Sequence, residues 1–134
     1  MSNPVYDDTF VFIKSTDKIT YYYNPHSIKI DKRNHIIKVW TKRVYTDKGK
    51  LDFVKGFKEY DVTIVNINKL EFTLGLEYIN YKDNKVSVNE IIDYSDSGEV
   101  LGKSTYSTKW ISIVSGGDGE IILNKILKDY NIQR

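Results

Sequence analysis

The segment KLEFTLGLEYINY, residues 69–81, shows the clearest alternation of apolar and polar side chains in the chain. A period of two places successive side chains on opposite faces of a β-strand, so the segment predicts one long strand. Its two faces would carry Leu70, Phe72, Leu74, Leu76 and Tyr78 on one side, and Lys69, Glu71, Thr73 and Glu77 on the other. We expect the apolar face to be buried and the polar face to be solvated.

Other strand-like runs flank this segment and are separated by turn-forming residues. TFVFI (residues 9–13) and ITYYY (19–23) enclose the polar sequence KSTDK and predict a β-hairpin. After a turn at Asp83 and Asn84, VSVNEIIDY (86–94) predicts an antiparallel partner for residues 69–81. The side chains expected to share one face of that partner strand are Val86, Val88, Ile92 and Tyr94.

The segment HIIKVWTKRVY, residues 35–45, carries apolar side chains on both strand faces. The two faces are Ile37, Val39, Thr41 and Tyr45, and Ile36, Lys38, Trp40, Lys42 and Val44. Neither face is wholly polar. The segment therefore predicts a central strand with partial cover on both sides.

The end of the chain changes from a strand period to a helical one. A final strand leads through Trp110 and Ile113 to SGGDGE, after which Leu123, Ile126, Leu127 and Tyr130 recur at helical spacing. This apolar stripe must pack on another element, and the sheet is the only surface long enough. The prediction is an α+β fold in a single domain spanning residues 1–134. It has a curved antiparallel sheet of about six to seven strands with one C-terminal helix on its concave face.

The composition excludes several classes of protein. The 20 basic and 18 acidic residues leave a net charge of +2, so no general field favours nucleic acid or an anionic membrane. The absence of cysteine excludes disulfides, thiol nucleophiles and thiolate metal sites. No run approaches the roughly 18 consecutive apolar residues of a membrane span, and the opening MSNPVYDDTF lacks a basic and apolar leader. We therefore expect no nucleic-acid partner and no transmembrane segment.

The glycine-rich sequence before the helix has two interpretations. As a helix entrance, Gly117 would be the N-cap and Glu120 would reach back to a backbone N–H, as in a capping box. As a phosphate nest, the free N–H groups of the first turn would hold an anion. The nest lacks the lysine and hydroxyl residue of a P-loop, and Asp118 and Glu120 would repel phosphate. The sequence favours the entrance.

Other chemical motifs are weak. His26 and His35 have no partner at metal-ligand spacing, which favours two solvent-facing turn histidines. DYSDSGE, residues 93–99, has Ser104 where a calcium loop needs an acidic residue, so it predicts a hairpin turn. No nucleophile motif is present. We expect no catalytic residue, no metal site and no cofactor.

The residues Lys38, Trp40, Lys42 and Arg43 form a candidate binding surface. Basic and aromatic residues in alternation suit acidic polysaccharides or single-stranded nucleic acids. The same residues also fit a solvated strand face whose lysines prevent edge pairing, and that interpretation is favoured. Trp40 is expected to be partly buried under lysine stems, and Trp110 to be a core residue at the junction of sheet and helix.

The order of several short motifs resembles the bacterial surface-adhesin E family. YYYNPHSI is followed by IIKVWTK, YDVT and finally a tryptophan ahead of SGGDGE, and the resemblance spans most of residues 21–127. The matching positions are Asn24, Ser27, Ile28, Val39, Trp40, Trp110, Ile113, Gly116 and Glu120. The resemblance implies an antiparallel sheet with a helix on its concave face, export from the cytoplasm and, for the named adhesin, binding to host surfaces.

The chain departs from that family at four places. Family members often carry a disulfide between helix and sheet, and this sequence has Val62 and an apolar residue such as Leu127 instead. Ser115 replaces a proline, and Gly117 replaces the serine that would cap the helix. The fold therefore carries over more readily than the adhesion does.

Two classes of function follow. The first is a non-catalytic extracytoplasmic or envelope-associated binding module, adhesin-like, that engages a protein or glycan through a sheet face or edge. Edge pairing would also allow a homodimer. The second is a small ligand-binding or enzymatic domain with a pocket between helix and sheet.

Overall fold

The structure, a computed structural model, describes residues 9–59, 69–105 and 109–134, with the backbone alone for 54–59. Its fold is α+β, as predicted, with eight strands and two helices in that part of the chain. The elements in chain order are β1 (Val11–Ser15), β2 (Ile19–Tyr23), a short 3₁₀ helix (Pro25–Ser27), β3 (Lys29–Asp31), β4 (Ile36–Tyr45), α1 (Asp47–Glu59), β5 (Leu70–Asn80), β6 (Lys85–Ser95), β7 (Val100–Thr105), β8 (Ile111–Ser112) and α2 (Asp118–Asp129).

The strands form one antiparallel sheet in the order β1-β2-β4-β5-β6-β7. The other two strands pair with strands of this order. β3 pairs with β4 beyond the end of β2, and β8 pairs with β6 beyond the end of β7. The described residues contain eight strands, against about six to seven predicted, because β3 and β8 count as strands of their own. The position of β4 between β2 and β5 confirms the predicted central strand.

The two faces of the sheet differ in what packs on them. We call the face that carries Ile37 and Val39 the helix face, because the apolar stripe of α2 is buried against it, and the opposite face the open face. The stripe residues Ile122, Leu123 and Ile126 are fully buried. The predicted packing of a C-terminal helix on the sheet is therefore confirmed, while the concavity of the helix face stays a prediction.

The β5–β6 hairpin confirms the predicted antiparallel pair, with one correction. The register shifts beside Glu77, where β6 contains an extra residue. Such a bulge reverses the alternation of side chains along the strand. Val86 and Val88 therefore lie on the helix face and Ile92 and Tyr94 on the open face, whereas the sequence predicted all four on one face.

Half of the polar side predicted to be solvated is buried instead: Lys69 is exposed and Glu71 half-buried, whereas Thr73 and Glu77 are buried. Thr73 and Glu77 lie on the helix face with 5% and 2% of their surface exposed. Both form hydrogen bonds to side chains of neighbouring strands, which makes their burial tolerable. The prediction was wrong because alternation shows which residues share a face but not whether polar side chains on it have partners.

Each end of α2 accepts a hydrogen bond from a tyrosine of β2. Tyr21 donates to Asp118, the first residue of the helix, and Tyr23 donates to Asp129, the last residue, at 2.7 Å. We call these contacts the tyrosine clamps. Residues two apart on a strand point to the same face, so β2 presents both donors to the helix. A carboxylate acceptor makes each bond stronger than one between neutral groups.

Helix α1 was not predicted from the sequence. Thr46 Oγ1 accepts a hydrogen bond from the N–H of Gly49 at 3.2 Å and caps the first turn. That turn passes so close to the β1–β2 hairpin that a Cβ on Gly49 would collide with the carbonyl oxygen of Lys18. The glycines and sparse apolar residues of DKGKLDFVKGFKE obscure the helical pattern in the sequence.

The substitution Ile126→Ala tests how much the packing of α2 contributes to stability. It leaves a cavity at the centre of the stripe, and we expect the free energy of unfolding in urea to fall by about 2–5 kcal/mol. The control Asn124→Ala changes an exposed residue of the same helix and should shift that free energy by no more than about 0.5 kcal/mol. Equal effects of the two substitutions would show that the stripe is not a core element.

Alkaline pH should weaken the tyrosine clamps. Burial and the hydrogen bonds to Asp118 and Asp129 raise the pKa of Tyr21 and of Tyr23 above the ordinary value of about 10. Because the pKa is raised in the folded state, this stabilisation is complete below pH of about 10 and is lost as the pH rises further. The free energy of unfolding should therefore fall more steeply above that pH in the wild type than in Tyr21→Phe/Tyr23→Phe.

Tyr22 supplies the control for this experiment, because it lies between the two clamp residues and faces the other side of the sheet. Urea titrations of Tyr22→Phe should retain the steep alkaline loss of the wild type. If the double variant shows the same alkaline slope as the wild type, the clamps do not contribute to the pH dependence.

Candidate functional site

The open face carries aromatic and lysine side chains that neither described helix covers. Its small core consists of Leu74, Ile92 and Tyr94, with Trp40 partly buried against it. The residues around that core are Phe12, Tyr22, Lys38, Trp40, Lys42 and Tyr78, which we call the aromatic–lysine surface. Among the large apolar side chains of this surface, that of Phe12 is the most exposed, with 53% of its surface accessible. The partial burial predicted for Trp40 is confirmed.

Strand pairing makes this surface continuous. Phe12 pairs with Tyr22, and Tyr22 pairs with Lys42 of the central strand. Four residues earlier in β4, Lys38 pairs with Tyr78 of β5. The backbone hydrogen bonds of the sheet therefore fix the spacing between rings and ammonium groups before any ligand arrives.

The two lysines of this surface lie over aromatic rings. Lys42 Nζ is 4.6 Å from the ring centroid of Phe72 and 5.2 Å from that of Phe10, and Lys38 Nζ is 5.6 Å from that of Tyr78. Burial lowers the pKa of Lys42. Within the described residues, neither lysine pairs with a carboxylate. The surface therefore presents positive charge that no described acidic residue neutralises.

Arg43 does not join this surface, although the sequence grouped it there. It lies on the helix face and contacts Glu77 at 3.6 Å, Asp118 at 3.5 Å and Thr41 at 3.0 Å. Thr41 also donates to Glu77, and Tyr21 donates to Asp118. We call these five residues the buried polar cluster, in which Asp118 is the exposed member, with 48% of its side chain exposed.

The buried polar cluster is a set of mutually paired groups. Burial alone would lower the pKa of Arg43, but the charges of Glu77 and Asp118 outweigh it and raise that pKa. Glu77 is almost fully buried, and removing its cationic partner would leave an uncompensated charge. The polar groups of the cluster are paired with one another. The contacts of Tyr21 and Arg43 with Asp118 fix the N-terminus of α2. The sequence missed it because Glu77 was interpreted as solvated.

A second polar chain on the helix face ends in a buried carboxylate. Tyr45 donates to Thr73 Oγ1 at 2.9 Å, and Thr73 donates to Asp93 at 2.7 Å. Burial raises the pKa of Asp93, and the hydrogen bond from Thr73 offsets only part of that effect. No cation of the described residues pairs with it.

The structure brings together three of the predicted motif residues, Asn24, Ser27 and Trp40. Asn24 Oδ1 accepts from the N–H of His26 at 2.9 Å and caps the 3₁₀ helix. Ser27 Oγ donates to the carbonyl of Asn24 at 2.8 Å and accepts from the N–H of Trp40 at 2.9 Å. This motif therefore joins the turn after β2 to the central strand and holds Trp40 in position.

The glycine-rich sequence is the entrance to α2, as predicted. Gly117 is the N-cap, and Gly116 adopts a φ of +77°, a conformation that glycine tolerates best. Glu120 Oε1 accepts from the N–H of Gly116 at 3.1 Å, so the glutamate reaches back one residue beyond the cap. Val62, which replaces a cysteine of the family, lies outside the described residues.

Trp110 is not the predicted core residue. It is 39% exposed and lines an open cleft of about 500 Å³ together with Asn80, Asp83 and Lys85. Ile113, three residues later, fills the core position instead, with 8% of its surface exposed. The sequence could not separate these two residues, because both precede the helix and both are apolar.

The remaining chemical motifs occupy turns. His26 is exposed, as predicted, whereas His35 is half-buried with its ring 5.3 Å from that of Tyr81. Residues 95–99 form the predicted hairpin turn, with Gly98 at a φ of +85°. The described part of the chain contains no cluster of three metal-ligating side chains.

No protein-family model matches this sequence, and no curated protein matches it. The resemblance to the surface-adhesin E family therefore stays a prediction. No helix in residues 9–59, 69–105 and 109–134 has the length and apolar character required to cross a membrane.

Neutralising Asp93 should stabilise the protein at neutral pH. Because its pKa is raised in the folded state, the favourable contribution of the protonated form is present at low pH and lost as the pH rises through that pKa. Asp93→Asn keeps an acceptor for Thr73 without the buried charge. Its melting temperature should exceed that of the wild type at pH 7, and the difference should shrink as the pH falls toward about 4.

The exposed Asp96, in the turn that follows β6, gives the matched control. Asp96→Asn should leave the melting temperature close to that of the wild type across the same pH range. A melting temperature of Asp93→Asn below that of the wild type at pH 7 would show that the carboxylate of Asp93 stabilises the fold through a charge interaction.

Proposed function

We propose that this chain is a non-catalytic, extracytoplasmic binding module that engages a glycan or protein through its aromatic–lysine surface. The observation that carries the proposal is the open face itself. Rings and unneutralised ammonium groups lie side by side on neighbouring strands, without cover from either described helix. Exposed aromatic side chains on a fixed backbone supply contact area at little cost in conformational entropy.

The helix face supports this choice of surface. Between α2 and the sheet, the described residues pack closely, with Ile122, Leu123 and Ile126 fully buried. On the same face, Arg43 is paired with Glu77 and Asp118 within the buried polar cluster. Those contacts stabilise the fold and leave the open face as the side of the sheet with side chains available for a ligand.

The extracytoplasmic, adhesin-like part of the proposal rests on the motif resemblance. The proposal also includes a homodimer formed by edge pairing, since β1 and β7 end the described strand order and edge strands can pair with another copy. Sedimentation velocity over a range of protein concentrations would detect such a dimer.

A paired-substitution experiment tests the binding surface. Phe12→Ser/Lys38→Glu removes an exposed ring and reverses a charge on the open face. The control, Leu51→Ser/Lys128→Glu, removes an exposed aliphatic side chain from α1 and reverses an exposed charge on α2. Wild type and both variants are applied to arrays of purified glycans and extracellular proteins.

We expect the open-face variant to lose at least about tenfold in affinity for whatever the wild type binds, because aromatic and cationic anchors dominate interfaces. The control should bind like the wild type. Equal binding by both variants would place the ligand elsewhere, and turnover of a bound glycan or peptide would overturn the non-catalytic assignment.

A further inference from the structure

The cleft beside Trp110 lies at one end of the open face. Asn80 and Lys85 are cross-strand partners in β5 and β6, and the register places both on that face. Ser112 of β8 pairs with Lys85, and Trp110, which directly precedes β8, lines the cleft with Asn80 and Lys85. On the open face, the cleft therefore lies next to the cross-strand pair of Lys38 and Tyr78, because Asn80 is two residues from Tyr78 in β5. Its volume of about 500 Å³ is within the range of small-molecule sites.

The four lining residues combine an aromatic wall with polar groups. Asn80 Nδ2 donates to Asp83 Oδ2 at 3.2 Å, and Asn80 Oδ1 accepts from the N–H groups of residues 82 and 83. These bonds hold the Asp83 carboxylate at the cleft while its other oxygen carries no described hydrogen bond. Asp83 and Lys85 are both exposed, so an acceptor and a cation stand beside the Trp110 ring.

This set of groups matches the two chemical sides of a sugar ring. The C–H groups of a pyranose carry small positive charges and pack against the negative face of an aromatic ring. Its hydroxyl groups donate to a carboxylate, and a carboxylate or sulfate on the sugar pairs with an ammonium group. Trp110 supplies the aromatic ring, Asp83 the carboxylate and Lys85 the ammonium group.

The charge of the neighbouring surface selects an anionic sugar. Lys29, Lys38, Lys42 and Lys85 all lie on the open face by register. None of the four pairs with a carboxylate among the described residues, whereas Lys103 pairs with Glu90. A chain of acidic sugars would place charges near successive lysines, while a neutral glycan would leave them unpaired.

We infer that the Trp110 cleft is a saccharide subsite and that the ligand is an acidic polysaccharide whose chain continues across the aromatic–lysine surface. This inference rests on the proposed function and names its ligand class. The sugar ring in the cleft stacks on Trp110, donates to Asp83 and places its anionic group at Lys85. Neighbouring sugar residues reach Tyr78 and Lys38.

The test uses three uronate oligosaccharides as probes, from polygalacturonate, alginate and hyaluronan. Isothermal titration calorimetry measures their affinity for the wild type, Trp110→Ala, Trp110→Phe and the control Leu51→Ala, which removes an exposed apolar side chain on α1, away from the cleft. Methyl-esterified oligogalacturonate, dextran and oligothymidylate distinguish an acidic sugar from a neutral glycan or a nucleic acid. Because Trp40 and Trp110 are the two tryptophans of the chain, the difference in emission between the wild type and Trp110→Phe reports on Trp110.

At least one uronate probe should bind the wild type, and Trp110→Ala should weaken that binding by about tenfold or more. Trp110→Phe should retain most of the affinity, and Leu51→Ala all of it. The methyl ester should bind more weakly than the acid, added salt should weaken the acid's binding, and the emission of Trp110 should shift on titration.

Other outcomes separate the subsite from the proposed function. Uronate binding that is lost in Phe12→Ser/Lys38→Glu but unchanged in Trp110→Ala overturns the cleft and leaves the function standing. Binding of none of the three uronates overturns the ligand class, as does preferential binding of dextran or oligothymidylate. A protein captured through the open face in the array experiment would then still support the function, and capture of nothing would overturn both.

Discussion

The arrangement of this protein depends on the hydrogen bonds that fix α2 to β2. A helix with an apolar stripe could slide or rotate on an apolar sheet face at little cost, because hydrophobic contact is not directional. Tyr21 and Tyr23 remove that freedom by donating to carboxylates at the two ends of the helix. The chain contains no cysteine, so these directional hydrogen bonds act on the helix without a disulfide.

Fixing α2 in this position also explains why the helix face tolerates charged residues. The N-terminus of the helix brings Asp118 to Arg43, and Arg43 in turn compensates Glu77 beneath it. Two carboxylates near one guanidinium and a helix N-terminus form an arrangement in which each charge has a partner. The buried polar cluster therefore orients α2 on the sheet, while the apolar stripe contributes most of the surface that the helix buries.

The sequence predicted the elements that have a regular period and missed those that depend on partners. Strand alternation and the helical stripe of residues 122–130 identified the α+β fold, the central β4 and the β5–β6 hairpin. Alternation could not show that Glu77 meets Thr41 and Arg43 beneath a helix, because those residues are far apart in the chain. The bulge in β6 and the glycine-containing helix α1 were missed because neither keeps a regular apolar period. In the candidate site, the sequence grouped Arg43 with Lys38, Trp40 and Lys42, whereas the odd position of Arg43 in β4 places it on the opposite face from the other three.

The helix face stabilises the fold, and the open face carries the proposed binding surface. This separation affects how such a chain can change its ligand. Residues of the helix face are coupled through hydrogen bonds and packing, so single substitutions there act on stability. Residues of the aromatic–lysine surface, and Asn80 and Lys85 of the Trp110 cleft, lie on strands of the same sheet but on its open face, away from those contacts. Their identity can change with little effect on the helix side, because side chains on opposite faces of a strand share only the backbone. A fold held together on one face can therefore present different binding chemistry on the other.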